Sequence, residues 1–115
     1  KAAEQGEAKA QIILGDMYKE GKSVIQDYAE AEKWYRKAAE QGDAEGQYKM
    51  SKIYSSTGNS PDKLREHMWN NIAASNGHEF AIRWRDSIEN RMTASQIQEA
   101  QKLARECVQK SYKGC

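Results

Sequence analysis

A repeated hexapeptide constrains this chain more than any other feature. Residues 1–6 read KAAEQG, and residues 37–42 read KAAEQG again, an offset of 36 residues. A fixed period of this size belongs to chains built from stacked supersecondary units, each too small to bury its own apolar face. Residues 7–42 form one complete unit. The chain opens inside an earlier copy, and the residues that follow repeat the unit with substitutions.

Within the unit, Ala10, Leu14, Met17 and Tyr18 share one helical face, which predicts a helix over 7–20. Gly15 lies beside them. A mid-helix glycine costs about 1 kcal/mol against alanine, so close approach by another helix is expected there. Gly21 ends this helix, and Ser23-Val24-Ile25-Gln26 connects it to the next, with Val24 or Ile25 expected to plug the space between the two. Asp27 caps the second helix, with Glu30 completing a capping box. Ala31, Trp34, Tyr35, Ala38 and Ala39 make its apolar face, and Gly42 terminates it. Ala, Glu, Lys and Gln are frequent, and proline occurs once. No period-two alternation and no bilayer-spanning apolar run appears. The predicted fold is therefore all-α, an α–α superhelix.

A second copy starts at Asp43. A shift of 36 aligns Ala8 with Ala44, Gln11 with Gln47, Leu14 with Met50, Gly15 with Ser51 and Tyr18 with Tyr54. The next loop is one residue shorter, and Ser60 and Pro61 are expected as N-cap and first helical residue. From there a shift of 35 aligns Trp34 with Trp69, Ala38 with Ala73, Ala39 with Ala74 and Gly42 with Gly77. Ala31 has become Glu66 and Tyr35 has become Asn70. Residues 78–92 keep an apolar stripe of Ala81, Trp84, Ile88 and Met92. Thr93-Ala94-Ser95-Gln96 reads as a capping box opening a last helix, with Ile97, Ala100, Ala104, Cys107, Val108 and Ser111 on one face and Leu103 beside them. A polar-backed helix of this kind suits the terminal cap of a solenoid. The expected organisation is the end of a preceding repeat (1–6), a complete unit (7–42), a degenerate unit (43–77), and a degenerate helix plus capping helix (78–115), the last section of a longer superhelix.

The complete unit resembles the Sel-like repeat (SLR) family, a relative of the tetratricopeptide repeat. The resemblance rests on Ala8, Ala10, Gln11, Leu14, Gly15, Tyr18 and Gly21, followed by Asp27, Tyr28, Ala31, Trp34, Tyr35, Lys37, Ala38, Ala39, Gln41 and Gly42. The stretch from His67 to Ser75 and the one from Arg91 to Glu106 are similar to the C-terminal end of bacterial SLR proteins. The resemblance implies a right-handed α-solenoid that mediates protein–protein contacts and names neither a reaction nor a partner; the expected protein is a non-enzymatic scaffold without a cofactor.

With 18 basic and 17 acidic residues, the chain has no field to attract nucleic acid or to hold it on an anionic membrane. Trp34, Trp69, Tyr18 and Tyr54 occupy repeat-equivalent positions, which assigns them to the core. In the tetratricopeptide frame the first helix of each unit lines the concave surface. Carried over, that frame puts Lys9, Ile12, Asp16 and Lys19, then Glu45, Tyr48 and Lys52, on a surface for a protein or peptide partner. Ile12 and Tyr48 would make an apolar column flanked by Asp16 and Lys52. The alternatives are a solvated face on a purely architectural spacer, or an envelope β-lactam-binding or hydrolytic protein using Ser60 and Lys63. The latter pair fits S-x-x-K spacing, but neither K-T-G nor S-D-N accompanies it. His67 and His78 lack a metal-ligand spacing, so surface or helix-start roles are expected and no metal. Glu32 and Arg36 form an i,i+4 pair.

Cys107 and Cys115 remain. On an unbroken helix their Cα atoms would lie about 12 Å apart, beyond the limit of about 7 Å for a disulfide. Gly114 suggests that the chain turns back, which admits a clip on the last helix. The other reading is a buried Cys107 and a loose Cys115. Two cysteines without metal partners favour the disulfide, and with it a periplasmic or secreted protein rather than a cytoplasmic one.

Overall fold

The computed structural model describes residues 6–55 and 61–115. Six helices follow one another: α1 (Ala8–Glu20), α2 (Tyr28–Glu40), α3 (Ala44–Ile53), α4 (Lys63–Ser75), α5 (Glu79–Glu89) and α6 (Ala94–Gln109). No strand occurs among the described residues. Each helix packs on the next as far as α5, and α6 folds back onto α4. The result is an all-α solenoid whose last helix covers the one before the penultimate.

Local chemistry sets the helix ends. The carboxylates of Asp27, Asp43 and Asp62 accept the main-chain N–H groups of Glu30, Gly46 and Arg65 at 3.1, 2.9 and 3.1 Å, satisfying donors that a helix start leaves unpaired. Thr93 and Gln96 make a full capping box. At Asp27 only half of such a box forms, since the Glu30 carboxylate lies 3.7 Å from Lys33 instead. Gly42 and Gly77 adopt left-handed φ values of 89° and 90°, and Gly6 shares them at 94°. The same turn thus recurs at the repeat period.

The second unit starts its B helix later than Ser60 and Pro61 suggest. Asp62 is the N-cap, with Pro61 before it, and Ser60 lies outside the described residues. The reason is a repeated hydrogen bond. Asp27 N donates to the Tyr18 carbonyl, and Asp62 N donates to the Tyr54 carbonyl, both at 2.9 Å. The shortened loop therefore returns to the same anchor, and Asp62 takes the role of Asp27. In the first loop, Ile25 is 90% exposed and plugs nothing. Val24 is half-buried.

The core comprises Ile12, Ala31, Tyr35, Ala38, Ala39, Met50, Ile53, Met68, Trp69, Ile72, Ala104 and Cys107, with Tyr18, Tyr54 and Leu103 packed against it. Trp34 and Trp69 are buried, and their indole N–H groups have no partner among the described residues. Packing holds Trp69, and Trp34 in addition carries Lys33 and Lys37 Nζ at 5.5 and 5.0 Å from its ring centre. In α1 the buried residues are Gln11, Ile12 and Gly15, while Leu14 and Met17 are only half-buried. Gln11 and Gln47 are buried because each ties an A helix to the B helix of its own unit. Gln41 Nε2 donates to Gln11 Oε1, and Asn76 Nδ2 donates to Gln47 Oε1, both at 2.8 Å. One amide pair therefore joins each A helix to the turn that ends the following B helix.

The C-terminus reverses earlier than Gly114. Helix α6 stops at Gln109, and Ser111 and Tyr112 take left-handed φ values of 55° and 68°. Ser111 is thus part of this turn and not of the helix face, and Val108 is exposed. Left-handed backbone costs about 1–2 kcal/mol at a residue with a side chain. Two contacts oppose that cost: Tyr112 packs against the core, and Cys115 is bonded to Cys107 with Cα atoms 5.7 Å apart.

Gly15 has a steric reason. A Cβ there would lie 2.6 Å from Cε1 of Tyr35. Gly46 is similar, with Ala38 Cβ and Ala39 N both at 2.8 Å. Gly15→Ala should lower unfolding free energy by about 1–3 kcal/mol in urea titrations followed by circular dichroism. On a free helix surface the same change stabilises by roughly 0.5–1 kcal/mol, so a stabilised variant would show that Tyr35 does not fill this space.

Candidate functional site

Tyr35 explains where the surface is closed, and Asn70 where it is open. In the first unit the Tyr35 ring lies against Gly15 of α1. Its hydroxyl donates to Asp16 Oδ1 at 2.5 Å, and Lys49 of α3 reaches the same carboxylate oxygen at 3.2 Å. Lys49 Nζ also sits 5.9 Å from the Tyr35 ring centre. One phenol thus fills the wedge between α1 and α3. Burial, followed by the hydrogen bond and charge of Asp16, pushes the Tyr35 hydroxyl far above its ordinary pKa.

The second unit carries Asn70 in place of Tyr35 and Ser51 in place of Gly15. Asparagine is too short to fill the equivalent wedge between α3 and α5. A cavity of about 300 Å³ remains, with Tyr48, Ser51, Lys52 and Ser55 on one side, Trp84, Ser87, Ile88 and Arg91 on the other, and Glu66 and Asn70 beneath. The floor residues are buried and polar. Glu66 Oε2 accepts from Arg91 Nη2 at 3.2 Å. Asn70 is 1% exposed and donates through Nδ2 to the Ala81 carbonyl at 2.9 Å, while its Oδ1 has no partner. Ser51 Oγ donates to the Glu66 carbonyl at 2.9 Å.

Aromatic rings line the rim. Tyr48 stacks on His78 with ring centres 4.3 Å apart, and Phe80 follows at 6.3 Å from Tyr48. His78 is held from both sides. Its Nδ1 accepts from Ala81 N at 3.2 Å as the N-cap of α5, and its Nε2 donates to Glu45 Oε1 at 2.6 Å. Trp84 is 49% exposed. Lys52 Nζ lies 5.7 Å from the Tyr48 ring centre and 5.8 Å from that of Trp84, between the two. Burial, then the charge of Glu45, raises the Tyr48 pKa, and Lys49 acts against this.

The residues expected on the concave surface divide accordingly. Tyr48 and Lys52 come together at this cavity with residues of α5, and Glu45 lies outside its lining, on His78. Ile12 is only 8% exposed and belongs to the core, because an isoleucine at that place is covered where the equivalent tyrosine reaches the rim. Asp16 is engaged by Tyr35 and Lys49. Lys9 is exposed away from the cavity residues, and the Lys19 carbonyl accepts from Gln26 Nε2 at 2.8 Å. Trp84, expected in an apolar stripe, instead faces the cavity. One signal could have found it: Trp84 follows Tyr48 by 36 residues, as Tyr48 follows Ile12. His67, expected at the surface, is 1% exposed with Nε2 2.7 Å from Glu89 Oε2. As a neighbour of Glu66 on a helix covered by α3, α5 and α6, it has no route to solvent. Lys63 is the first residue of α4, and its expected partner Ser60 lies outside the described residues. Among the described residues no cluster of His, Cys, Asp and Glu could hold a metal ion, and no helix is long and apolar enough to cross a membrane.

Residues 8–43 match the Sel1 repeat. No curated protein sequence matches the chain. Two solved structures are similar to it. One is c5321, a protective antigen present in uropathogenic Escherichia coli strains displaying an SLR fold, at 32% identity and a TM-score of 0.87 over 96% of this chain. The other is a Sel1 repeat protein from Oxalobacter formigenes, at 28% identity and a TM-score of 0.65 over 92% of this chain. This chain spans 25% of the first and 46% of the second.

The Tyr35 hydroxyl sets an alkaline limit. Its folded-state pKa is raised above the ordinary value of 10.0, so the folded protein keeps a proton that the unfolded chain releases. Stability should therefore be unaffected below about pH 10 and fall as pH rises beyond it. Denaturant midpoints from pH 8 to 11 should drop more steeply for the wild type than for Tyr35→Phe. Equal slopes would remove Tyr35 as the cause.

Proposed function

This chain being a Sel1-like repeat protein by sequence over residues 8–43 and by fold over nearly its whole length, we propose that it binds an extended segment of a partner protein in the channel between α3 and α5. Sel1 repeats generally mediate protein–protein interaction, and the SLR fold is typically a non-enzymatic scaffold. The observation that carries the proposal is the unfilled wedge above Asn70, with Tyr48 and Trp84 on its rim. About 300 Å³ lies at the lower end of the size of ligand cavities, which typically combine apolar walls with a few polar groups. Exposed aromatic residues beside a cavity are also the side chains that most often dominate binding energy.

Selection from a displayed random-peptide library tests this reading. Selected peptides should bind Trp84→Ala and Tyr48→Ala more weakly by about 2 kcal/mol, roughly thirtyfold in Kd. Both rings are partly exposed, so the variants should keep the wild-type circular dichroism spectrum. Undiminished binding by the double variant would move the site elsewhere, and a library that yields no binder would favour an architectural spacer.

We further propose that the protein is bacterial and works in the periplasm or outside the cell. The compartment is supported by the Cys107–Cys115 pairing, since disulfides persist in oxidising compartments, and the bacterial source by the likeness to two bacterial structures. Protein isolated from its native source under thiol-blocking conditions should gain the mass of the two thiol hydrogens on reduction. No gain would retire the assignment.

A further inference from the structure

Resting on that channel reading, we infer that the segment it takes is acidic, with one carboxylate side chain seated against Lys52. Each carboxylate beside the channel has a hydrogen-bonding or ionic partner. Asp16 is held by Lys49, Glu45 by His78 and Glu66 by Arg91. Lys52 has no carboxylate within 4.0 Å among the described residues. Its ammonium is nonetheless placed, between the Tyr48 and Trp84 rings at 5.7 and 5.8 Å, a range in which a cation is attracted to the ring face. The lining contributes two positive charges, Lys52 and Arg91, and one negative, Glu66. The channel therefore has one cation to spare, and it stands at the rim.

The floor asks for the opposite polarity. Asn70 Oδ1 is a buried acceptor with no donor, an arrangement that costs free energy until a donor or a water meets it. Glu66 beside it repels any carboxylate that goes deep. A ligand suited to both levels carries an N–H inward and a carboxylate at the rim. An Asp or Glu in an extended peptide does so within one residue, through its main-chain N–H and its side chain. A lysine or arginine would bring its charge against Lys52 and compete with Arg91 for Glu66.

The test uses the 115-residue chain and three pools of labelled, acetylated and amidated pentapeptides. The central residue is Glu, Gln or Lys, and the flanking positions are randomised. Fluorescence polarisation should rank the wild type's affinity as Glu above Gln above Lys, with Glu over Gln by about fivefold and falling with added salt. Lys52→Met should bring the Glu and Gln pools level, Lys52→Glu should invert the order, and Lys52→Arg should preserve it. Lys52 is exposed, so its variants should retain the fold. If Glu and Gln pools bind equally while Trp84→Ala weakens both, the acidic preference is overturned and the channel stands. If no pool binds the wild type more tightly than it binds Trp84→Ala, the channel reading falls as well.

Discussion

The burial of α4 is the constraint on which the rest of the structure depends. This helix is covered by α3, α5 and α6, and eight of its residues are buried, among them Glu66, His67 and Asn70. A polar group in such a place must be met by another. Each of these side chains finds one partner, always from α5 or the turn after it: Asn70 in the Ala81 carbonyl, His67 in Glu89 and Glu66 in Arg91, while Asn70 Oδ1 and His67 Nδ1 have none among the described residues. The α4–α5 contact is therefore stitched by polar side chains along its length. On α2 the equivalents of Glu66 and Asn70 are Ala31 and Tyr35, which pack as ordinary core.

That exchange of one packing chemistry for another has a geometric by-product. A tyrosine spans the wedge between successive A helices and seals it with a hydroxyl on Asp16. An asparagine is spent on the neighbouring backbone and does not reach across. The cavity opens where that ring is missing, with Glu66, Arg91 and Trp84 around it. Degeneration of the repeat and formation of the candidate site are one event in the sequence.

The two ends of the described structure are stabilised differently. The amide pairs Gln11–Gln41 and Gln47–Asn76 each fix the A helix of a unit on the end of its own B helix, and Gln47 Nε2 joins the second unit to the first by donating to the Ala39 carbonyl at 3.3 Å. At the C-terminus the repeat logic stops. There α6 lies back on α4, and Tyr112 wedges near the turns that end α2 and α4, within 3.4 Å of the Asn76 amide. The Cys107–Cys115 bond holds the reversed tail in place, where two consecutive left-handed residues would otherwise favour an open chain.

The repeat period by itself determined the helical solenoid, the helix ends at Gly42 and Gly77, and the core role of Trp34 and Trp69. These follow from spacing, because a residue in register with its copy meets the same neighbours. The close approach at Gly15 was legible for the same reason. The tertiary structure alone decided which deviations from the repeat matter. Tyr35→Asn70 is visible as a substitution, yet whether it leaves a hole, a filled gap or a collapsed contact depends on what α5 places opposite it. Trp84 looked like core because its spacing is helical, and it faces the cavity because α4 is the helix that α5 packs on most and Asn70 leaves the space toward α3 open. Ile12 looked like surface, and it is buried because its neighbours reach over it. Periodicity tells which side of a helix a residue occupies; only the packing of the next helix tells whether that side is covered.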